Sequence, residues 1–119
     1  MALKQLHKKR VSFFDLKPAN NTAEEIYQYD GILFTGYAVL DYGEDGQILA
    51  EEEFRDGITG GWINEYYPNG QIKRESLHMS LLYNILYREY DEDGTMVKEC
   101  FLVTKESYNE YVAQYKLLD

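Results

Sequence analysis

The sequence predicts a mainly β fold: an antiparallel meander of β-hairpin repeats, closed by a short C-terminal helix. Three observations predict it. Turn residues recur at a constant interval of about 24 residues, apolar and polar residues alternate on both sides of each turn, and the end of the chain switches to helical spacing.

The repeat carries most of the information. Gly46, Gly70 and Gly94 are evenly spaced, and the same interval relates Tyr42, Tyr66 and Tyr90, then Ile48, Ile72 and Met96, then Glu51, Glu75 and Glu99, and joins Gly36 to Gly60. Each unit reads as strand, tight turn, strand. Pro68-Asn69-Gly70 suits a three-residue loop, because proline presets φ, asparagine tolerates the bridge region and glycine takes the left-handed position of a bulge. Glu44-Asp45-Gly46 and Glu92-Asp93-Gly94 fit the same frame. Such loops pair Tyr42 with Ile48, Tyr66 with Ile72 and Tyr90 with Met96.

Alternation along these strands predicts two faces. Even positions, among them Ala38, Leu40, Tyr42, Ile48, Ala50, Phe54, Trp62, Tyr66, Ile72, Leu86, Tyr90 and Met96, form the expected buried side. Odd positions put Asp41, Glu65 and Glu89 in one row and Glu51, Glu75 and Glu99 in another, with Tyr37, Val39, Ile63, Tyr67, Tyr87 and Phe101 between them. The expectation is a solvent-facing sheet surface that mixes carboxylates with aromatics.

The ends depart from the repeat, as caps of an array do. Val11 to Leu16 reads as a strand, Pro18 to Glu25 as a polar connection, and Ile26 to Tyr29 as a short strand before an Asp30-Gly31 turn. Ser107 followed by Glu110 has the form of a capping box, and Tyr108, Tyr111, Val112 and Tyr115 recur at helical spacing. The 119 residues therefore read as one domain: cap strands over 1–29, three hairpin repeats over 30–102 and a helical cap over 103–119.

Composition narrows the function. The chain holds 12 Lys+Arg against 21 Asp+Glu, a net charge of −9. Lys4, Lys8, Lys9 and Arg10 lie within the first ten residues without an acid, so the rest of the chain carries eight cations against the 21 acids, or −13. That field repels phosphate backbones and argues against direct nucleic-acid binding and against an anionic membrane surface. With 45% hydrophobic and 15% aromatic residues, the acidity belongs to a folded chain. The lack of a secretory h-region in Met1 to Arg10, and of a long apolar run, predicts a cytoplasmic protein.

Catalytic and metal motifs are not in evidence. His7 and His78 are far apart, no nucleophile–base grouping or phosphate loop is seen, and alternation puts the single Cys100 on the expected buried side. Glu51-Glu52-Glu53 and Asp91-Glu92-Asp93 lack the spacing and the closing bidentate Glu of a calcium loop, and read as solvated edges and turns. No enzyme activity, cofactor or metal is expected.

The segment Gly61-Trp62-Ile63-Asn64-Glu65-Tyr66-Tyr67-Pro68-Asn69-Gly70-Gln71-Ile72-Lys73-Arg74-Glu75 resembles a unit of the MORN-repeat variant. The wider chain, from Tyr29-Asp30-Gly31-Ile32-Leu33-Phe34-Thr35-Gly36 through Glu99, is similar to the bacterial YwqK-like antitoxin or immunity proteins of polymorphic-toxin systems, a match that covers about residues 27 to 102. In the third unit Asn84 replaces the glycine, and Leu82-Tyr83-Asn84-Ile85 replaces the usual connection. The resemblance implies a meander of MORN-like hairpins with a protein-binding role. Combined with the charge, it predicts a non-catalytic module that binds a basic protein, a cognate toxin first of all, through Tyr37, Asp41, Glu51, Glu65, Tyr67, Glu75, Tyr87, Glu89 and Glu99. A structural scaffold repeat that binds other proteins or a membrane surface is the alternative. An open meander also has two edges, so the chain is expected as a monomer or an edge-paired homodimer.

Overall fold

Each tight turn forms because its glycine can adopt positive φ. Gly46, Gly70 and Gly94 sit at φ 80°, 92° and 89°, and each donates its N–H to the carbonyl three residues back, Gly43, Tyr67 and Asp91. The structure, a computed structural model, describes residues 3–5, 9–19, 25–80 and 83–118; His7, Lys8, residues 20–24 of the polar connection and Leu82 of the third-unit turn lie outside them.

The main sheet has seven strands: β1 (Arg10–Ser12), β5 (Gly36–Tyr42), β6 (Ile48–Arg55), β7 (Ile58–Tyr66), β8 (Ile72–Ser80), β9 (Tyr83–Tyr90) and β10 (Met96–Phe101), in the order β1-β5-β6-β7-β8-β9-β10. From β5 onward it is an antiparallel meander; β1 pairs parallel to β5. A smaller sheet holds β2 (Lys17–Pro18), β3 (Tyr27–Tyr29) and β4 (Ile32–Leu33), and its β3–β4 turn places Asp30 and Gly31 at φ 52° and 80°, as the Asp-Gly pair predicts. The predicted strand over 11–16 is broken after Ser12 by a 3-10 turn at Phe13–Asp15.

The three predicted pairs are observed: Tyr42 with Ile48, Tyr66 with Ile72 and Tyr90 with Met96. What alternation missed is the residue that follows. Glu65 pairs with Arg74 and Glu89 with Lys98, so Lys73 and Val97 are extra residues in bulges. Leu49 occupies the same place in the first unit, between Ile48 and Ala50. A bulge of one residue exchanges inward and outward positions. As far as a further bulge at Ile85, the odd residues of β6 therefore share a face with the even residues of β7, the odd of β8, the even of β9 and the odd of β10.

Two cores flank the sheet. On the inner face, Tyr37, Trp62, Leu77 and Leu86 pack with Tyr111, Val112 and Leu117 from the C-terminal segment. The helix α1 (Lys105–Gln114) lays its predicted stripe there, Tyr111 and Val112 buried and Tyr108 and Tyr115 partly so. Its cap is Thr104, not Ser107: the Thr104 Oγ1 accepts from the Ser107 N–H at 3.2 Å, which places Ser107 inside the first turn. On the outer face, Ala38 and Phe54 pack with Leu16 and Phe34 under the small sheet. Each fully buried large side chain stabilises the fold by about 1.5–3 kcal/mol. Gly61 is required where β7 crosses Glu53: its φ is 108°, and a Cβ there would overlap Glu53 Oε1.

Candidate partner-binding surfaces

The bulges overturn the expected segregation of acids and aliphatics. Glu51, Asn64, Glu75, Arg88 and Glu99 are cross-strand partners in succession, forming one row on the inner face. Glu51 is fully buried and Glu75 nearly so, and Tyr37 is 1% exposed. These three cannot form an open docking face. Asp41, Glu65 and Glu89 lie on the outer face instead, through the pairs Asp41–Ala50, Ala50–Glu65, Glu65–Arg74 and Arg74–Glu89. The predicted acidic residues thus divide between both sides of the sheet.

The inner row is a hydrogen-bonded network rather than a surface. Arg10 donates to both oxygens of Glu51, Nε to Oε1 at 2.7 Å and a terminal nitrogen to Oε2 at 3.2 Å. Asn64 Nδ2 and Tyr66 Oη donate to Glu51 Oε2 at 2.9 and 2.5 Å. Gln5 extends the chain, donating through Nε2 to Asn64 Oδ1 and Glu75 Oε2 at 2.9 Å each and accepting from Tyr37 Oη at 2.8 Å. Arg88 closes it, reaching Glu75 at 3.2 Å and Glu99 at 2.7 Å, while Tyr90 Oη donates to Glu75 at 2.6 Å.

Electrostatics follow from these contacts. Burial opposes ionisation of Glu51, yet the donors Arg10, Tyr66 and Asn64 outweigh it and hold the carboxyl below its usual range. Burial, reinforced by the bond to Glu75, pushes the Tyr90 phenol up to about 12. The Glu51-Glu52-Glu53 run is accordingly no solvated edge: Glu51 and Glu53 are buried, and Glu53 Oε1 accepts from the Trp62 N–H at 3.0 Å. Cys100 is a cross-strand partner of Tyr87 on the outer face and half-buried, not inside. Among the described residues no group of three His, Cys, Asp or Glu side chains converges as metal ligands.

On the outer face, Glu65, Arg74, Glu89 and Lys98 alternate in sign across four strands. Arg74 and Glu89 pair at 3.6 Å, and Arg74 and Lys98 lie 4.3 and 5.4 Å from the Tyr87 ring centre. This band is balanced, not acidic. Next to it, Tyr67, Lys73, Asp91 and Val97 complete with Glu65, Arg74 and Glu89 the wall of an open cavity of about 340 Å³. Tyr67 is partly committed to structure, its Oη donating to the Tyr90 carbonyl at 2.8 Å.

Unbalanced acid collects at one end of the sheet. The three tight turns stack side by side there, with Asn69 Nδ2 donating to the Glu92 carbonyl at 3.1 Å. Exposed Asp41, Glu44 and Asp45 flank exposed Tyr42 in the first hairpin, exposed Glu92 and Asp93 flank exposed Met96 and Val97 in the third, and exposed Glu65 and Lys73 lie in the second, between them. The interleaving of acids with apolar groups read from the sequence exists, but at the turn end and not over a face.

Among the described residues, one edge of the sheet is open as well. Strand β10 ends the order, with Val97 62%, Phe101 51% and Leu102 48% exposed. Beside it Phe101, Val103, Lys105, Tyr108 and Asn109 enclose a mostly apolar cavity of about 310 Å³. Sequence reasoning missed Arg10, Gln5, Asn64, Tyr66 and Arg88 as partners of the carboxylates. The available signal was the repeated offset of Tyr66 and Tyr90 from Glu51 and Glu75, the same in both units.

No curated protein and no solved structure matches the chain. No helix among the described residues is long and apolar enough to cross a membrane. Residues 64–78, which span the second tight turn and the Asn64–Glu75 pair, match the MORN repeat variant family. The chain is thus a mainly β meander of hairpins whose central segment, residues 64–78, is similar to the MORN repeat variant.

Proposed function

We propose that this protein works without chemistry, as a module that binds a basic protein partner, and that the partner is the toxic domain of a cognate effector. The observation that carries the reading is the turn end, where six exposed carboxylates are spread over the three hairpins, beside exposed Tyr42 in the first and exposed Met96 and Val97 in the third. Apolar contact there supplies affinity, and the carboxylates steer a cationic surface toward it. MORN repeats commonly act as protein- or membrane-binding modules, which supports a binding role at the coarser level. The antitoxin reading draws on the resemblance of residues 27–102 to immunity proteins and on the net charge of −9.

The test is co-expression with the carboxy-terminal domain of a secreted effector encoded beside this chain. Rescue of growth, and a 1:1 complex whose affinity falls steeply with added salt, are the expected results. Glu65→Lys and Glu92→Lys should weaken it. Absence of a complex, together with salt-sensitive flotation on anionic vesicles, would replace this reading with the scaffold alternative.

A further inference from the structure

We propose that the open edge of β10 receives an extended basic segment of another protein by antiparallel strand addition. A cation of that segment lies opposite Glu99, and an apolar side chain two residues before it enters the cavity lined by Phe101, Val103, Lys105, Tyr108 and Asn109. The proposal rests on the reading of the chain as a binding module and states which element of the partner is engaged.

Backbone geometry sets the register. The Leu102 N–H donates to the Ile85 carbonyl at 2.8 Å, and Cys100–Tyr87 and Lys98–Glu89 continue the same register. In an antiparallel pair the hydrogen-bonded positions alternate. Lys98, Cys100 and Leu102 therefore turn their backbone groups toward β9, and Glu99 and Phe101 turn theirs outward. The side chains of those two residues are the ones on the inner face, opposite Arg88 and Leu86. The outward backbone and the inner-face side chains belong to the same positions.

The repeat states what is missing. Glu75 takes Arg88 and Tyr90 from the strand that follows it, and Glu51 takes Asn64 and Tyr66 from its own. Glu99 holds Arg88 from the preceding strand, and no strand follows it among the described residues. One repeat beyond Tyr90 stands Gln114, on the helix. An added strand with a cation at that point supplies the donor that Glu99 lacks on its open side. The 310 Å³ cavity begins at Phe101, one inner-face position away, where the Tyr108 ring meets Phe101 edge-on at 5.3 Å.

A second copy of this chain fits less well. Two β10 strands paired about a twofold axis perpendicular to the sheet set Lys98 against Lys98 or Glu99 against Glu99 in the registers centred on those residues, and Glu99 against Phe101 in the register centred on Cys100, so none of the three offers Glu99 a cation. Like charges directly opposite destabilise the pairing. A hetero partner with a cation and an apolar anchor avoids both.

The probe is the acetylated, amidated peptide Thr-Phe-Thr-Arg-Thr-Ile-Thr, with the full chain observed by amide hydrogen exchange. The expected result is exchange slowed by about tenfold or more at Glu99 and Phe101, with Lys98 and Cys100 unchanged. Replacing Arg by Glu in the peptide should weaken binding by about tenfold or more, and Glu99→Lys should restore affinity for that Glu peptide. N-methylation of the Phe and Arg amides should abolish binding, while N-methylation of the Thr between them should not. Unchanged exchange at Glu99 and Phe101, or equal affinity of the Arg and Glu peptides, would overturn the proposal. If a cognate protein binds and Glu99→Lys leaves its affinity unaltered, strand addition fails while the binding-module reading stands; if neither protein nor peptide binds, both fail.

Discussion

The Tyr66 hydroxyl donates to Glu51 at 2.5 Å, and one repeat later the Tyr90 hydroxyl donates to Glu75 at 2.6 Å. Each hairpin's tyrosine thus holds the carboxylate of the unit before it. Tyr42 begins the series and is 47% exposed, and the position one repeat before Glu51 holds Tyr27, which has no carboxylate to offer. Tyr66→Phe should cost about 1–2 kcal/mol in urea unfolding, because a buried carboxylate loses a donor, whereas Tyr42→Phe should be close to neutral. Equal effects at the two positions would contradict the seam.

Removal of the carboxylate itself should cost more. Glu51→Ala strips Arg10, Asn64 and Tyr66 of a shared acceptor. Breaking a buried ion pair from one side costs about 3–5 kcal/mol. The Arg10 side chain is 40% exposed and can regain water, which places the expected loss near the lower figure, about 3 kcal/mol by chemical denaturation.

Stability should depend on pH at both extremes. The fold keeps Glu51 ionised to lower pH than the unfolded chain does, so the unfolded chain takes up the proton first. The contribution of Glu51 is complete above its ordinary value of 4.5 and is lost as pH falls through the lower folded value. Tyr90 behaves oppositely: raised from 10.0 to about 12, it contributes fully below 10 and loses that contribution as pH rises through 12. Thermal melts across both ranges should show the two limbs, with Glu51→Gln flattening the acid one.

Glycine positions should separate by surroundings. A Cβ at Gly46 meets nothing within 4 Å, so Gly46→Ala should cost only the left-handed backbone, about 1–2 kcal/mol. At Gly61 the same Cβ would strike Glu53, and Gly61→Ala should reduce the folded yield sharply. Comparing soluble yield and melting temperature of the two variants checks this.

Thr104→Ala should remove the helix cap at a cost of about 1 kcal/mol, and Ser107→Ala should cost less, because it keeps the N–H bond to Thr104 Oγ1 and loses only an exposed hydroxyl contact of 3.1 Å with the same atom. Helicity by circular dichroism, with the unfolding midpoint, distinguishes them.

The sequence made the hairpins legible because glycine, proline and aspartate encode turns locally. The pairs Tyr42–Ile48, Tyr66–Ile72 and Tyr90–Met96 each join neighbouring stretches of chain and needed no tertiary information. Faces were not legible, because a bulge at Leu49, Lys73 or Val97 leaves no mark in composition and yet reverses every side chain beyond it. Burial of Glu51 depends on Arg10, far away in the chain, and on Gln5 bridging Asn64 and Glu75; neither can be read from a strand's own pattern. Of the nine residues read as a binding site, Asp41 and Glu65 remain exposed on the outer face and Glu99 on the inner, while Tyr37, Glu51 and Glu75 hold the sheet together.

The tyrosine-to-glutamate seam also gives the array a direction of growth. A single repeat duplicated between β6 and β9 would arrive with its own tyrosine for the glutamate behind it and its own glutamate for the tyrosine ahead, so lengthening in the middle is self-sealing. Lengthening at the carboxy end would instead satisfy Glu99 and consume the open edge. Natural variation in the number of hairpins is therefore easiest in the interior, with both ends of the molecule left unchanged.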